Sequence, residues 1–222
     1  MKRFKHFILH LLDYIYKKKC YFCSKSTESV KMCSNCYEEL IFTEPKPNRC
    51  ILGVNIYVAG IYEKYLQKMI RGLKYHNQKE LAYYQAKFMW EYMQEIIKRN
   101  HNSKDFQVVP VPLHKTRERK RGYNHMELVV REFCQLSGDE GNYELIKRIK
   151  STKAQYKLTR QERLKNLENA FDVDKSKLIP NKTILILDDI CTTGATFESM
   201  IEELQKVGIN DIVCLATSTP LT

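Results

Sequence analysis

The chain predicts an α/β fold, a mostly parallel sheet with helices on both faces, with a small cysteine-based module ahead of it. Three observations carry this reading. Short apolar runs alternate with longer stretches of helical spacing from Val54 to Thr217, the pattern of strands joined by crossover helices. One run, Thr183-Ile-Leu-Ile-Leu-Asp188, is apolar until it ends in two adjacent acids, as a central strand buried on both faces does. Ahead of the alternation, Cys20-Tyr-Phe-Cys23 and Cys33-Ser-Asn-Cys36 form two Cys-x-x-Cys pairs with nine residues between them.

In chain order, Phe4, Phe7, Ile8, Leu11, Leu12 and Ile15 recur at i, i+3, i+4 spacing, so residues 4–16 are expected to form an amphipathic helix packed on the protein itself. His6, His10 and Asp13 interrupt its apolar run and no small-residue cleavage site follows, which argues against a signal peptide. No stretch approaches the ~20 apolar residues of a membrane span. Each cysteine pair can then offer two thiolates from a tight turn to one tetrahedral ion. Cys20, Cys23, Cys33 and Cys36 are therefore expected to hold a structural zinc with no open coordination position. A disulfide or redox reading is weaker, because nothing marks secretion and a redox pair opens a helix in a βαβ unit.

Thr43-Glu-Pro-Lys-Pro-Asn48 reads as a polar linker, which divides the chain into an N-terminal module, residues 1–50, and a main domain, residues 51–222. Within the latter, Val54–Tyr62 reads as a strand, Tyr65–Tyr75 and Leu81–Ile97 as helices, and Phe106–Val109 as a strand. A helix is expected after Asn124, which sits where an N-cap would be, through Leu128, Val129, Phe133 and Leu136. Strand 183–188, a helix from Thr196 to Lys206 stopped by Gly208, and a strand from Ile212 to Thr217 complete the alternation. Cys134 and Cys214 lack metal-ligand spacing and read as core residues, while Cys191 is a candidate for oxidation.

With 222 residues and 43% hydrophobic composition the chain can hold one medium domain and an appendage. Its 37 basic and 26 acidic residues give a net charge of +11, and the charge is clustered. Residues 2–19 carry six Lys/Arg, residues 115–121 five, and residues 147–165 eight against one Glu. Such clusters suit a polyanion, since cations that neutralise phosphates release counterions. A solvated basic face would look the same.

The sequence after the acid pair narrows the ligand. Asp188-Asp-Ile-Cys-Thr-Thr-Gly-Ala-Thr196 puts carboxylates at a strand's carboxyl end and a hydroxyl-rich loop at a helix start. The free N–H groups of that helix favour a phosphate. Asp188 and Asp189 can accept from vicinal hydroxyls and help hold a divalent cation, and Gly194 lets the backbone come close. The ligand should carry a phosphate and a diol. A P-loop needs Gly-Lys-Ser/Thr, and a dinucleotide fingerprint places its acid after the glycines, so neither fits. The acid-acid-x-x-Thr-Thr-Gly-x-Thr order resembles the 5-phosphoribosyl 1-diphosphate (PRPP) motif of type I phosphoribosyltransferases. That resemblance implies a type I phosphoribosyltransferase-like sheet, Mg²⁺ bound with PRPP, and a loop made by Cys191, Thr192, Thr193, Gly194, Ala195 and Thr196.

Further segments extend the likeness. Val108-Val-Pro-Val-Pro-Leu-His-Lys-Thr-Arg117, Lys120-Arg-Gly-Tyr-Asn124, Thr152-x-x-Gln155-x-x-Leu158 and Arg163-x-x-Asn166 before Ala170-Phe171, with the cysteine pairs ahead, resemble the ComF competence family. His125 departs from that family's usual Gln, and Asn169 from its usual Gly. The resemblance implies a role in natural transformation, handling internalised single-stranded DNA in the cytoplasm, with a competence helicase and other DNA-uptake proteins as partners. A PRPP-dependent phosphoribosyltransferase of salvage or biosynthesis is the alternative. His114, Lys115, Arg117 and Arg121 are expected at the pyrophosphate end, with Gly122 allowing close backbone approach, and Arg148–Phe171 is expected as a mobile lid. Within that lid Lys150, Lys153 and Lys157 are the candidate DNA contacts, with Arg163 a further pyrophosphate candidate. Tyr21, Phe22, Tyr37, Tyr123 and Tyr156 are candidates for base stacking. Lys74 and Tyr75, in Arg-Gly-Leu-Lys-Tyr, are similar to a family segment near the site.

Overall fold

The computed structural model describes residues 18–100, 105–150, 167 and 169–221. The expected helix over 4–16, together with Lys153, Tyr156, Lys157 and Arg163, lies outside them. The described residues fall into two compact units divided between Leu40 and Ile41, ahead of the boundary expected near residue 50. The physical reason is pairing: Phe42 bridges Gly60, Thr43 N–H donates to the Ala59 carbonyl at 2.8 Å, and Asn48 N–H to that of Ile56 at 2.9 Å. The proline-punctuated stretch is thus stitched to a strand of the main domain.

In the first unit Lys19 bridges Ser26 around a tight turn, with Ser24 at a left-handed φ of 63° and its N–H on the Cys20 carbonyl at 2.9 Å. Helix α1 (Ser34–Glu38) begins directly after Cys33, so Cys36 falls in its first turns. Cys20, Phe22, Met32 and Cys36 are buried together as a small core.

The second unit contains β1 (Arg49–Ile51), β2 (Val54–Ile61), α2 (Lys64–Tyr75), α3 (Leu81–Asn100), β3 (Phe106–Pro110), α4 (Lys115–Arg121), α5 (His125–Ser137), β4 (Glu140–Gly141), β5 (Ile146–Arg148), β6 (Phe171–Val173), β7 (Thr183–Ile190), α6 (Ala195–Lys206) and β8 (Ile212–Thr219). Among the described residues six strands form one sheet in the order β1-β2-β8-β7-β3-β4, parallel except where β1 meets β2. Strand β7 lies between β8 and β3 with Ile184 to Leu187 fully buried. An unbroken Ile/Leu run has nowhere polar to face, so it takes the centre. On one face, Val109, Ile184 and Ile186 pack with Phe197, Met200, Ile201 and Leu204 of α6 and with Ile146 and Phe171 of the separate antiparallel pair β5–β6. Helices α2, α3 and α5 cover the opposite face, as Leu66, Met69, Ile70 and Leu73 of α2 are buried at helical spacing.

The expected helix stops and starts hold. Asn124 caps α5, its Oδ1 accepting the Met126 N–H at 3.0 Å, and Gly208 at φ 85° ends α6. Gly122 differs: a Cβ there would meet nothing within 4 Å, and its φ of 85° shows that left-handed backbone after α4, not close approach, is what the position demands.

Candidate active site

The carboxyl edge of the sheet opens into a cavity of about 890 Å³. From β7 it receives Asp188, Asp189 and Ile190; from the loop and first turn that follow, Thr192 and Thr196. The end of α2 supplies Lys74 and Tyr75, the α4 region Arg117, Lys120, Arg121 and Tyr123, the start of α5 His125 and Met126, and β5 Arg148. The loop 191–194 is built to turn tightly. Cys191 N–H donates to the Ser218 carbonyl at 2.8 Å, and Gly194 takes φ 85° at the N-cap of α6. A Cβ on Gly194 would lie 2.7 Å from Ile51 Cδ1 and 3.5 Å from Arg49 Nη1. The sequence predicts a close approach of the Gly194 backbone to a phosphate; what the structure brings close to it is the side chains of β1. Cys191 is buried and its thiol is pushed up to about 11 by that burial, which disfavours the thiolate that oxidation needs and corrects the expectation of a reactive cysteine.

The acid pair is held from behind. Ser218 Oγ donates to the Asp189 carbonyl at 3.1 Å, Thr217 Oγ1 to that of Asp188 at 3.4 Å, and Gln85 Nε2 to Thr217 Oγ1 at 2.7 Å. The two carboxylates then diverge. Asp188 is partly exposed to the cavity and accepts the Asp189 N–H on Oδ1 at 2.8 Å. Asp189 is 5% exposed, and its Oδ2 receives Lys74 Nζ at 2.7 Å and His125 Nε2. Burial and then the neighbouring Asp189 push the Asp188 carboxyl up to about 7. Burial would raise Asp189 too, but Lys74 and His125 overcome it and hold that carboxyl below its ordinary value. On the far side of the imidazole, Arg121 Nη1 lies 2.6 Å from His125 Nδ1.

Arginines dominate the remainder. Arg148 is 8% exposed with its guanidinium 5.4 Å from the Phe171 ring centroid, and burial followed by Arg117 pushes it down to about 10. Burial and then Arg121 likewise lower Arg117. At the rim, Arg121 lies 5.8 Å from the ring of Tyr75, which is 67% exposed. Of the residues expected to meet pyrophosphate, Arg117 and Arg121 reach the cavity. Lys115 is exposed and His114 caps α4, its Nδ1 accepting the Thr116 N–H at 3.2 Å, so neither lines it. The two ends of the segment expected as a lid lie in the main domain's core region: Arg148 pairs with Phe171 across β5–β6, and Leu167, Ala170 and Phe171 are core residues. Lys150 is exposed just beyond β5. Phe22 is buried and serves packing, while Tyr123, half-buried at the cavity, donates its hydroxyl to the Leu73 carbonyl at 2.5 Å.

In the first unit the Sγ atoms of Cys20, Cys23, Cys33 and Cys36 lie within 4.8 Å of one another. Burial would raise the Cys20 thiol, but N–H groups aimed at its sulfur, from Cys33 at 3.5 Å and Phe22 at 3.4 Å among them, bring it down to about 6. Four sulfurs converging, one prepared as thiolate, fit a tetrahedral thiophilic ion.

The phosphoribosyl transferase domain model matches residues 96–219, more than half of the chain. The chain belongs to this family. The matched residues take in β3, the α4 arginines, the acid pair and the loop 191–194, while Lys74 and Tyr75 come from outside them. Over 87% of its length the chain is 28% identical to competence protein F of Haemophilus influenzae, covering 86% of that protein. It is also 28% identical to competence protein ComFC of Streptococcus pneumoniae, over 87% of this chain and 84% of that one. DNA utilization protein YhgH of Salmonella typhi is 25% identical over 79% of this chain and 72% of its own. A Staphylococcus aureus hypoxanthine phosphoribosyltransferase superposes at a TM-score of 0.36 with 16% identity, over 60% of this chain and 62% of that one, a likeness too slight to argue from.

Sequence reasoning named Lys74 and His125 by resemblance without a role, and Arg148 as the start of a lid. All three owe their place to long-range packing. A basic residue on the last turn of a helix and a histidine after an N-cap were the local signals, and neither says what lies opposite.

Proposed function

We propose that this chain is a ComF-like competence protein that binds PRPP in the cavity at the sheet's carboxyl edge and handles internalised single-stranded DNA in the cytoplasm. One observation carries the PRPP reading: two carboxylates, a hydroxyl-rich turn at a helix start, and Arg117, Arg121 and Arg148 share a cavity of about 890 Å³. Those groups match in sign a ribose diol, a 5-phosphate and a pyrophosphate. Loop 191–196 takes the 5-phosphate through the backbone N–H groups of Thr192 to Gly194 and the hydroxyls of Thr192 and Thr196. Asp188 accepts from the ribose hydroxyls. A carboxylate facing an open cavity is the donor Mg²⁺ prefers, so Asp188 would also hold that ion, which supplies charge neutralisation at the pyrophosphate when bound. Cleaving the C1–O bond leaves negative charge on pyrophosphate, and the three arginines stabilise it where it develops. Zinc on the four cysteines is structural.

The test is calorimetry with PRPP and Mg²⁺. Asp188→Asn should abolish measurable PRPP binding in a chain that keeps its fold, since it removes an acceptor at a loop edge and leaves the apolar strand intact; unchanged affinity would end the assignment. For the nucleic-acid half, the support is the +11 charge and its clustering, including the five cations of residues 115–121. A second reading, a salvage or biosynthetic transferase, draws on the same cavity. Incubation with PRPP, Mg²⁺ and a panel of bases, amines and DNA separates the two. Pyrophosphate release with one small acceptor, without DNA binding at low salt, would select the transferase.

A further inference from the structure

Three elements send one side chain each toward Asp189, and the bonds they make form a chain: Lys74 from the end of α2, His125 from the start of α5, and Arg121 from the end of α4 through His125. The proton positions follow from chemistry. A guanidinium can only donate, so His125 Nδ1, 2.6 Å from Arg121 Nη1, must accept. A neutral ring that accepts at Nδ1 carries its hydrogen on Nε2, and Nε2 faces the Asp189 carboxylate. The imidazole is 3% exposed, so solvent has little access to either bond. Burial pushes the ring below its usual range, in agreement with that neutral form.

We infer that His125 is a positioning residue that locks Asp189 and Arg121 into one geometry, so that the ribose end and the pyrophosphate end of the site are ordered together. This rests on the PRPP reading for its consequence in binding, but not for the bonding itself. Asp189 does not turn away to meet solvent or a ligand because His125 and Lys74 hold its Oδ2. Arg121, whose guanidinium lies 5.8 Å from the Tyr75 ring centroid, does not swing out to solvent because Nδ1 holds one of its donors. Loss of the ring frees both.

Two measurements test this. Imidazole ¹⁵N shifts of the full chain should show His125 as the neutral Nε2–H tautomer, and Arg121→Ala should move the Nδ1 signal; a Nδ1–H tautomer, or no response to Arg121→Ala, overturns the relay. In calorimetry with PRPP and Mg²⁺, His125→Leu should weaken binding roughly tenfold or more, the scale of a lost charge-assisted hydrogen bond. His125→Gln, which keeps a donor and an acceptor, should restore most of the loss. Equal loss in both variants, or none in either, overturns the positioning role. If the native chain binds no PRPP at all, the functional reading fails while the ¹⁵N measurement still decides the relay.

Discussion

Asp188 Oδ1 accepts the Asp189 N–H, and the two carboxylates have little else in common. Burial and then its neighbour Asp189 raise Asp188 to about 7, whereas Asp189, gripped by Lys74 and His125, is depressed. The linkage signs are opposite. Between the unfolded carboxyl value of ~3.9 and about pH 7, the native chain holds a proton on Asp188 that the unfolded chain has lost, so this contribution to stability falls as pH rises through that window. The Asp189 contribution is in place above ~3.9 and is lost as pH falls toward its depressed native value. Asp188→Asn should therefore flatten the decline of the urea midpoint between roughly pH 4 and 7. A decline of unchanged slope in the variant would assign it to other groups. Lys74→Met should cost about 3 kcal/mol at neutral pH in urea unfolding, because it leaves a buried carboxylate short of its cation.

Among the elements, the central strand and the helix after it were the most legible in sequence, and for one reason: β7 and α6 are specified by residues that are local. Ile184 to Leu187 need two covered faces, and Gly194 needs its left-handed turn, whatever the rest of the chain does. Strands β1, β5 and β6 were not legible, since three residues each carry no periodicity and exist only through their partners. Helix α4 was hidden by its charge, seven residues without a buried side chain. Its basic last turn suits a helix carboxyl end, and the same turn puts Arg121 into the site. Gly194→Ala tests how tightly an element and a ligand are coupled here. The left-handed φ costs roughly 1–2 kcal/mol, and the added methyl would meet Ile51 Cδ1. PRPP affinity should fall further than stability, and Ile51→Val in the same chain should recover part of the binding but little of the midpoint.

For the whole molecule, two compact units on one chain predict separable behaviour. Freshly reduced protein should contain about one equivalent of zinc. Cys33→Ser or a strong chelator should release it and loosen residues 18–40, while near-ultraviolet dichroism of the sheet unit and its urea midpoint persist. A chain in which the sheet melts with the metal would mean that the units fold as one. Single-stranded DNA binding should weaken steeply with salt, each phosphate contact adding roughly 0.7 to the log-log slope. Lys150→Ala, Lys153→Ala and Lys157→Ala together should flatten that slope for all sequences alike.

The grip on Asp189 also bears on how the main domain breathes. A carboxylate that receives the last turn of α2 and the first turn of α5 on a single oxygen ties two helices to the strand beneath them. Local openings of those helix ends then cease to be independent events, since either one exposes the same charge. Amide exchange reads this directly. In the native chain His76 and Gln78, whose N–H groups close on Gly72, should exchange at rates that track those at the start of α5. Asp189→Asn should speed both sets together and leave the far ends of α2 and α5 unchanged.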